Sequence, residues 1–444
     1  MAKDKSPSPG QVLIADGGAV QLHPLVAHVL KDKVNPQELY YQGWKLIKDS
    51  YYDQKYNGQN WNRWEHHFDG KLKTSDDAHK AIETMIASLA DPYTRFLDKE
   101  AFTEEKDQIE AHLFGVGMQL GMHDSKVVVI APIEGTPAYR AGMQSGDEII
   151  EVDNKSVKSQ SLDQVVKQIR GPIDTEVVIT FTRKTERKKV TLKRAEIPIR
   201  AVVSKEYLPG NLGYIRLDSF ISNKACDEMK EALVKLKNAD GIILDLRSNP
   251  GGLLSNAIEI ANLFLQEKGV IVSTIDADGY KRSECSGGQP ACSLPMVVLI
   301  NKGSASASEI LSGALRDNGR AKLIGDTSFG KGLVQAINRL KDDSGINVTI
   351  AKYLTPNDTD INKTGIVPDY KVKLEDQDVK DSKGPWWIDP TYQNFKRSPA
   401  DGKDIQLKKA EEVLKDEIAK LHSTASNSLP AGNSPAASTE PAKN

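Results

Sequence analysis

The stretch that decides the fold is Met296-Val-Val-Leu-Ile300-Asn-Lys-Gly-Ser-Ala-Ser306-Ala-Ser-Glu-Ile-Leu-Ser-Gly-Ala-Leu315. Its five consecutive apolar residues predict a buried strand, and the pattern from Ser306 to Leu315 predicts a helix directly after it. The same order recurs at Gly241-Ile-Ile-Leu-Asp-Leu246, which precedes a helical pattern from Leu253 to Leu265. Residues 192–375 are therefore expected to form an α/β core with a substantially parallel sheet.

The rest of the chain divides into segments with different patterns of apolar and polar residues, which together predict a multidomain protein with α+β and α/β parts. Residues 22–104 read as a helical domain, in which Ser75 is expected to cap a helix that ends before Asp91-Pro92. Short β-runs and two small helices between 105 and 191 predict a compact, barrel-like β domain. Residues 376–422 form an extension with an amphipathic helix from Lys403 to Leu421. We expect residues 1–21 to be flexible and residues 423–444 to be disordered.

Composition excludes several classes of function. The 59 Lys and Arg residues nearly balance the 61 Asp and Glu residues, and a net charge of −2 argues against a nucleic-acid-binding protein. No apolar run approaches the ~20 residues of a membrane-spanning helix, and the N-terminus has no signal-peptide pattern. The three cysteines lack metal-ligand spacing, so neither a metal nor a cofactor is expected. Cys285 and Cys292 fit a disulfide and a pair of free thiols equally well.

The chemistry of the predicted core centres on a serine and a lysine. Seven of the eight histidines lie at or before His123 and the other is His422, so the core has no histidine to activate a serine. Ser306 begins a predicted helix, where free N–H groups face a developing oxyanion. Lys331, between two glycines and two apolar runs, becomes a base if burial lowers its pKa. Alternatively, Ser306 is only an N-cap and Lys331 a surface residue.

Two nucleotide-binding patterns fail on inspection. Gly325-Asp-Thr-Ser-Phe-Gly-Lys331 matches a P-loop until Gly332, where a Ser or Thr should hold Mg²⁺. The glycines of Gly115-x-Gly117-x-x-x-Gly121 are misspaced for a dinucleotide site. An ATPase is therefore not expected.

Two other glycine-containing loops have patterns that suit binding of a substrate. Gly251-Gly252 follows a predicted buried strand, and its glycines allow a close approach of backbone amides to substrate, as an oxyanion hole requires. Gly115-Val116-Gly117-Met118 exposes successive N–H groups, which suits capture of a C-terminal carboxylate. Tight turns are the alternative at both places.

The β-rich segment resembles a PDZ domain. The resemblance rests on four motifs in order, Gly115-Val-Gly-Met118, Gly135-Thr-Pro-Ala-Tyr-Arg-Ala-Gly-Met143, Gly146-Asp-Glu-Ile-Ile-Glu-Val-Asp153 and Ile169-Arg-Gly171. It implies that an extended peptide tail adds to the sheet as a strand, with its carboxylate near Gly115–Met118.

The core resembles the carboxyl-terminal processing, or tail-specific, serine proteases. The motifs are Leu244-Asp-Leu-Arg-Ser-Asn-Pro-Gly-Gly252, Ser304-Ala-Ser-Ala-Ser-Glu-Ile310, Gly325-Asp-Thr-Ser-Phe-Gly-Lys-Gly-Leu-Val-Gln335 and, before the PDZ segment, Leu89-Ala-Asp-Pro-Tyr-Thr-Arg-Phe96. The resemblance spans residues 36–375 and implies a crotonase- or ClpP-like α/β fold.

The same resemblance implies roles for individual residues. Ser306 would be the nucleophile, Lys331 the general base and Gln335 the group that orients the lysine amine. The backbone amides of Gly252, less firmly Gly251, and Ala307 would form the oxyanion hole. Arg170 would relay tail binding to Gln335. It further implies protein substrates with apolar C-termini and a location outside the cytoplasm. Because the sequence shows no signal-peptide pattern, a cytoplasmic location stays open as the alternative, and homo-oligomerisation is open as well.

One late motif departs from many bacterial relatives. Thr355-Pro-Asn-Asp-Thr-Asp-Ile-Asn-Lys363 looks more like the cyanobacterial and chloroplast branch, whose members process the photosystem II protein D1. It does not identify D1 as the substrate. The competing hypothesis is a binding module in which the PDZ domain recruits tails and the core is inactive, and cleavage of a peptide would discriminate between the two.

Overall fold

The computed structural model describes residues 34–427 apart from 110–111, 124–125, 134, 145, 199 and 389–396. The predicted flexible segment 1–21 lies outside the described residues. The N-terminal part contains α1 (Pro36–Ser50), a 3₁₀ turn (Trp61–Trp64), α2 (Ser75–Ala87), β1 (Arg95–Leu97) and α3 (Lys99–Ile109). The helical prediction is confirmed for α1 and α2, but it missed β1, which pairs with a distant strand.

The start of α2 differs by one residue from the prediction. Thr74, not Ser75, is the N-cap, because its hydroxyl accepts the N–H of Asp77 at 3.1 Å. The Asp77 carboxylate in turn accepts the N–H of Thr74 at 2.9 Å, which completes a capping box.

The β-rich segment folds as a separate sheet. Its elements are β2 (His112–Gly115), β3 (Met118–His123), β4 (Lys126–Pro132), α4 (Pro137–Arg140), β5 (Glu148–Val152), β6 (Lys155–Ser156), α5 (Leu162–Ile169), β7 (Glu176–Arg183) and β8 (Glu186–Lys193). The strand order is β3-β4-β5-β7-β8, with β6 paired to β5, so β3 lies at an edge. The predicted short β-runs and the two small helices, α4 and α5, are confirmed.

The core begins as the chain leaves this sheet. Its elements are β9 (Ala195–Pro198), β10 (Val202–Leu208), β11 (Leu212–Leu217), α6 (Ala225–Lys235), β12 (Gly241–Asp245), α7 (Leu254–Asn262), β13 (Val270–Asp276), β14 (Lys281–Cys285), β15 (Met296–Ile300), α8 (Ala307–Asp317), β16 (Lys322–Gly325), β17 (Leu333–Arg339), β18 (Gly345–Leu354) and β19 (Tyr370–Lys371). After the core follow α9 (Asp376–Lys380) and α10 (Ile405–Asn427).

Two sheets build the core. The first has the order β10-β11-β12-β15-β16-β19 and is parallel from β11 to β19, as predicted. The second is antiparallel, with the order β1-β18-β13-β14 and β17 paired to β18. The N-terminal helices pack on this second sheet, since Trp44 and Ile82 share an apolar cluster with Ile346 and Val348. The helical domain is therefore joined to the core through β18.

Helices cover both faces of the parallel sheet. On one face, α6, α7 and α8 bury apolar side chains such as Met229, Ile260 and Leu311. On the other face, α10 packs Leu407 and Leu414 against the sheet. The helix runs to Asn427, so residues 423–427, which were predicted to be disordered, are helical. Residues 428–444 lie outside the described residues.

A buried arginine fastens α10 to the core. Arg247 is fully buried, and its guanidinium reaches Asp245 at 2.6 Å and Asp404 at 2.8 Å. It also donates to Gln406 Oε1 at 3.0 Å, and Trp387 stacks on it with the ring centroid 5.1 Å away. Trp387, for which the sequence suggested no use, thus covers a buried ion pair.

Two short strands connect the PDZ-like sheet to the core. β2 pairs antiparallel with β9, so the chain enters and leaves the domain side by side. Arg194, just before β9, donates to the carbonyl groups of Gln168 and Ile169 at the end of α5, at 3.0 and 2.8 Å. These bonds satisfy the free carbonyls of the helix end and tie α5 to the connection.

Candidate active site

The three serines of the loop between β15 and α8 have different surroundings. The Ser304 hydroxyl donates to the carbonyl of Leu246 at 2.8 Å, and the Ser308 hydroxyl donates to the carbonyl of Asn249 at 2.9 Å. Both side chains are fully buried, whereas Ser306 is partly exposed. Ser304 and Ser308 therefore join the loop to the neighbouring strand end, and Ser306 is the serine that a substrate can reach.

The backbone of Ser306 is strained. Its φ is 54° and its ψ −115°, a conformation that costs a residue with a side chain about 1–3 kcal/mol. Helix α8 begins at the next residue, Ala307, so the serine stands at the positive end of the helix dipole. Such strain at a helix start presents a side chain outward and leaves backbone N–H groups beside it.

Lys331 lies in the turn between β16 and β17. Gly330 has a φ of 88°, and a Cβ on Gly332 would stand 2.9 Å from Asn362, so the two flanking glycines let the turn pack against the 361–365 loop. The amine Nζ is 4.9 Å from the ring centroid of Tyr93. No hydrogen bond joins it to Ser306 among the described contacts.

Burial lowers the pKa of Lys331 below its usual value of 10.5. Desolvation is the main cause, since it disfavours the ammonium form, and the positive charge of Arg95 acts in the same direction. The carboxylates of Asp91, Glu105 and Glu309 oppose the shift. The sequence predicted this direction from the apolar flanks of the lysine.

A residue that the sequence analysis missed connects the two loops. Glu309 is fully buried on the first turn of α8. Its carboxylate accepts the N–H groups of Ser306 at 2.9 Å, Gly330 at 2.7 Å and Lys331 at 2.9 Å, and the hydroxyl of Ser328 at 2.5 Å. Ser306-x-x-Glu309 is a capping-box spacing, the sequence signal that could have found it.

Tyr353, on β18, is a second missed residue. Its ring is buried, and its hydroxyl donates to the carbonyl of Lys331 and lies 3.3 Å from the carbonyl of Ser306. Desolvation, then the charge of Glu309, raises its pKa well above 10.0, so the hydroxyl keeps its proton. Nothing in the local sequence of β18 indicates this contact.

The glycine loop after β12 packs directly against the serine turn. A Cβ on Gly251 would stand 2.6 Å from the carbonyl oxygen of Ala305 and 2.9 Å from the nitrogen of Ala307. The N–H of Gly251 donates to Asn249 Oδ1 at 2.9 Å, so it is already used. Gly252 is exposed, and its bridge to Phe220 uses the carbonyl of Gly251 and the N–H of Leu253. Gly252 is thus better suited than Gly251 to donate to a substrate.

Gln335 and Arg170 are not brought together. The Gln335 amide Nε2 lies 3.5 Å from Thr349 Oγ1, on the neighbouring strand β18. Arg170 is the C-cap residue of α5, and the described contacts of its side chain do not include Gln335. The relay inferred from the resemblance is thus not formed in this arrangement.

The predicted carboxylate loop lies between β2 and β3. The carbonyl of Gly117 accepts the Thr136 hydroxyl at 2.9 Å, and the carbonyl of Val116 accepts the N–H of Ala138 at 2.8 Å. Gly115 ends β2, and Met118 begins the edge strand β3. The loop is therefore fixed through its carbonyl groups, at the end of an edge strand that a peptide can extend.

Other functional features were sought in the described part of the chain. It contains no group of three or more potential metal ligands and no helix long and apolar enough to cross a membrane. All three cysteines are free there, with Cys285 exposed and Cys292 buried.

Comparison with known proteins agrees with this arrangement. Residues 211–372 match the model of peptidase family S41, and residues 128–183 match a PDZ domain. A carboxyl-terminal-processing protease of Synechocystis is 42% identical over 349 residues, covering 76% of this chain and 81% of the relative. A chloroplastic carboxyl-terminal-processing peptidase 2 of Arabidopsis thaliana is 36% identical, covering 75% and 68%.

A solved structure extends the similarity to three dimensions. A photosystem II D1 C-terminal processing protease superposes with a TM-score of 0.51 at 32% identity, covering 77% of this chain and 94% of that one. Fold and site together define a serine peptidase with a PDZ domain. The chain belongs to the carboxyl-terminal-processing proteases of peptidase family S41.

Proposed function

We propose that the chain cleaves protein substrates by acyl-enzyme chemistry, with Ser306 as nucleophile and Lys331 as general base. The observation that carries this proposal is the shared carboxylate of Glu309, which binds the backbone of both residues. A strained serine at a helix start and a lysine of lowered pKa are the two groups that such chemistry needs.

The reaction runs in two halves. Lys331 takes the proton from the Ser306 hydroxyl as the oxygen attacks the scissile carbonyl carbon. The resulting ammonium gives this proton to the leaving amine when the C–N bond breaks. Lys331 then removes a proton from water, which attacks the acyl ester, and returns it to Ser306 as the ester bond breaks. Hydrogen bonds of this kind often form only in the substrate complex, so the lysine amine, which lies beside Tyr93, is expected to turn toward Ser306 when substrate binds.

We assign the oxyanion hole to the N–H groups of Gly252 and Ala307. Support comes from the glycine loop packing on the serine turn and from the prior use of the Gly251 amide by Asn249. Each such donor contributes about 10²- to 10³-fold to turnover in other enzymes.

Gln335 is proposed to orient the Lys331 amine through its side-chain oxygen. Its amide nitrogen lies 3.5 Å from Thr349 Oγ1, and no described hydrogen bond uses the side-chain oxygen. Arg170 is kept as a proposal for coupling tail binding to Gln335.

Substrate tails are proposed to bind the PDZ domain as a strand added to β3. This strand is at the sheet edge, and Met122 on it is about half exposed, which offers apolar surface to a tail. The N–H groups of residues Gly115–Met118 would receive the tail carboxylate. Apolar C-termini are therefore the expected substrate class.

Cleavage of a peptide with an apolar C-terminus tests the catalytic assignment. Ser306→Ala and Lys331→Ala should each lower kcat at least 10³-fold, whereas Lys302→Ala, an exposed lysine of the same serine loop, should leave it unchanged. Wild-type turnover by either of the first two variants would refute the assignment. The same peptide with an amidated C-terminus should show a raised KM if the carboxylate is recognised.

The family resemblance also bears on location and assembly. We propose that the protein acts outside the cytoplasm, in a periplasm, cell wall or lumen, and the resemblance leaves both a monomer and a homo-oligomer open. Mass spectrometry of the native N-terminus after cell fractionation tests the location, and sedimentation of the purified full chain decides between monomer and homo-oligomer.

A further inference from the structure

The segment that links the helical domain to the core lies against the Lys331 amine. Lys331 Nζ stands 4.9 Å from the ring centroid of Tyr93, in the range of a cation–π contact. Tyr93 is half-buried, and it belongs to the turn between α2 and β1. A residue more than 230 positions away in sequence thus forms one wall of the lysine site.

Three hydrogen bonds fix the position of the Asp91 carboxylate in the same turn. One carboxylate oxygen accepts the hydroxyls of Thr94 at 2.8 Å and Thr349 at 2.7 Å, and the other accepts the N–H of Tyr93 at 2.9 Å. Thr349 is buried on β18, and its hydroxyl is also the partner of the Gln335 amide at 3.5 Å. Asp91, Thr349 and Gln335 therefore form one polar chain that runs from this turn across β18 to β17.

We propose that Asp91 and Tyr93 are positioning residues for proton transfer: they hold the Lys331 ammonium that forms when the amine takes the proton of Ser306. The face of the Tyr93 ring and the carboxylate of Asp91 both favour the protonated form. They therefore stabilise the transition state in which positive charge develops on the lysine. This inference rests on the proposed role of Lys331 as the general base.

The charges around the amine make the inference testable in two directions. Asp91, Glu105 and Glu309 raise the pKa of Lys331, whereas burial and Arg95 lower it. Arg95 also pairs with Glu105 at 3.0 Å, so removing the arginine strengthens the effect of that carboxylate. Asp91→Asn should thus lower the pKa of Lys331, and Arg95→Gln should raise it.

The first measurement is the titration of the Lys331 amine itself. Trace acylation by acetic anhydride at a series of pH values, followed by peptide mass spectrometry of the folded full chain, gives the midpoint. In the Ser306→Ala background, Asp91→Asn should move this midpoint to lower pH and Arg95→Gln to higher pH. The exposed Lys302 in the same digests serves as the internal reference and should not move. Equal midpoints for Lys331 in the parent and the Asp91 variant would overturn the inference.

The second measurement separates positioning from folding. In the active enzyme, Tyr93→Leu should lower kcat about 5- to 30-fold, and Tyr93→Phe, which keeps the ring face, should remain within about twofold of wild type. KM for a tailed substrate should stay within about twofold in both. An equal loss in the two variants would contradict the proposal. Wild-type turnover by Lys331→Ala would instead refute the base assignment, so the two failures are distinguishable.

Discussion

Ser306 and Lys331 donate their backbone N–H groups to the same carboxylate oxygen, Glu309 Oε2, each over 2.9 Å. The two residues come from loops at the ends of different strands, β15 and β16, and this side chain bridges their N–H groups. The relative position of the proposed nucleophile and the proposed base therefore depends on a buried acid.

Replacing this acid should damage both catalysis and stability. In Glu309→Gln, an NH₂ group must occupy the place of one oxygen, where it faces N–H and O–H donors instead of accepting from them. We expect kcat to fall at least 100-fold and the free energy of unfolding to fall by about 2–4 kcal/mol. Steady-state kinetics and urea denaturation measure the two effects. Glu231→Gln, at a side chain 71% exposed on α6, is the matched control and should change neither.

The pH dependence of activity should report the lysine. Because the neutral amine is the proposed base, activity should rise with pH as Lys331 loses its proton. Because the pKa of Lys331 is lowered, this rise in activity should occur at a pH below the usual lysine value of 10.5. A profile of kcat/KM against pH measures it. A rise in kcat/KM centred at or above the usual lysine pKa would mean that a lysine of lowered pKa is not the base.

Burial of the lysine should also cost stability. Because its pKa is lower in the folded chain, the unfolded chain binds more protons between the two values. The free energy of unfolding thus rises with pH between the folded and the unfolded pKa of Lys331. Below the folded pKa, the full cost of burying the ammonium lowers the stability of the folded chain. Lys331→Met should abolish activity yet be no less stable than wild type at pH 7, and it should lack this pH-dependent gain. Urea denaturation at pH 7 and pH 10 tests it, with Lys302→Met as control; a Met variant that unfolds more easily at pH 7 contradicts the argument.

The sequence predicted those parts of the site that lie in local motifs. Ser306 and Lys331 stand out because the core has no histidine, and the parallel sheet follows from apolar strand runs. The role of Glu309 was not predicted, because a carboxylate on a predicted helix is normally expected to face solvent. Tyr353, Tyr93 and Asp91 reach the site from β18 and from the helical domain, and no local pattern encodes such distant pairing.

The C-terminal helix should be required for the stability of the core. Asp404→Asn removes a charge partner of the fully buried Arg247 and should lower the free energy of unfolding by about 3 kcal/mol. Glu412→Gln breaks an exposed pair with Lys409 on the same helix and should change it by less than about 1 kcal/mol. Chemical denaturation compares the two variants. Equal small effects would show that the Arg247 contact does not fasten α10.

The PDZ domain offers a matched pair of glycines, Gly117 in the proposed carboxylate-binding loop and Gly142 outside it. Gly117 has a φ of 76°, and a Cβ there would stand 2.2 Å from Thr136 Cβ, whereas Gly142 has a φ of 74° with no atom within 4 Å of the same position. Both alanine variants carry the backbone penalty of about 1 kcal/mol, but only Gly117→Ala must also displace the loop.

We therefore expect Gly117→Ala to raise KM for a substrate with a free C-terminal tail at least tenfold. Its kcat should change little, because the substitution alters tail binding and leaves Ser306 and Lys331 as they are. Gly142→Ala should keep the wild-type KM. Kinetics with the tailed peptide and with its C-terminal amide measure the difference, because the amide should already have a high KM that neither substitution raises further. A Gly117 variant that still prefers the free carboxylate as strongly as wild type would show that the tail binds elsewhere.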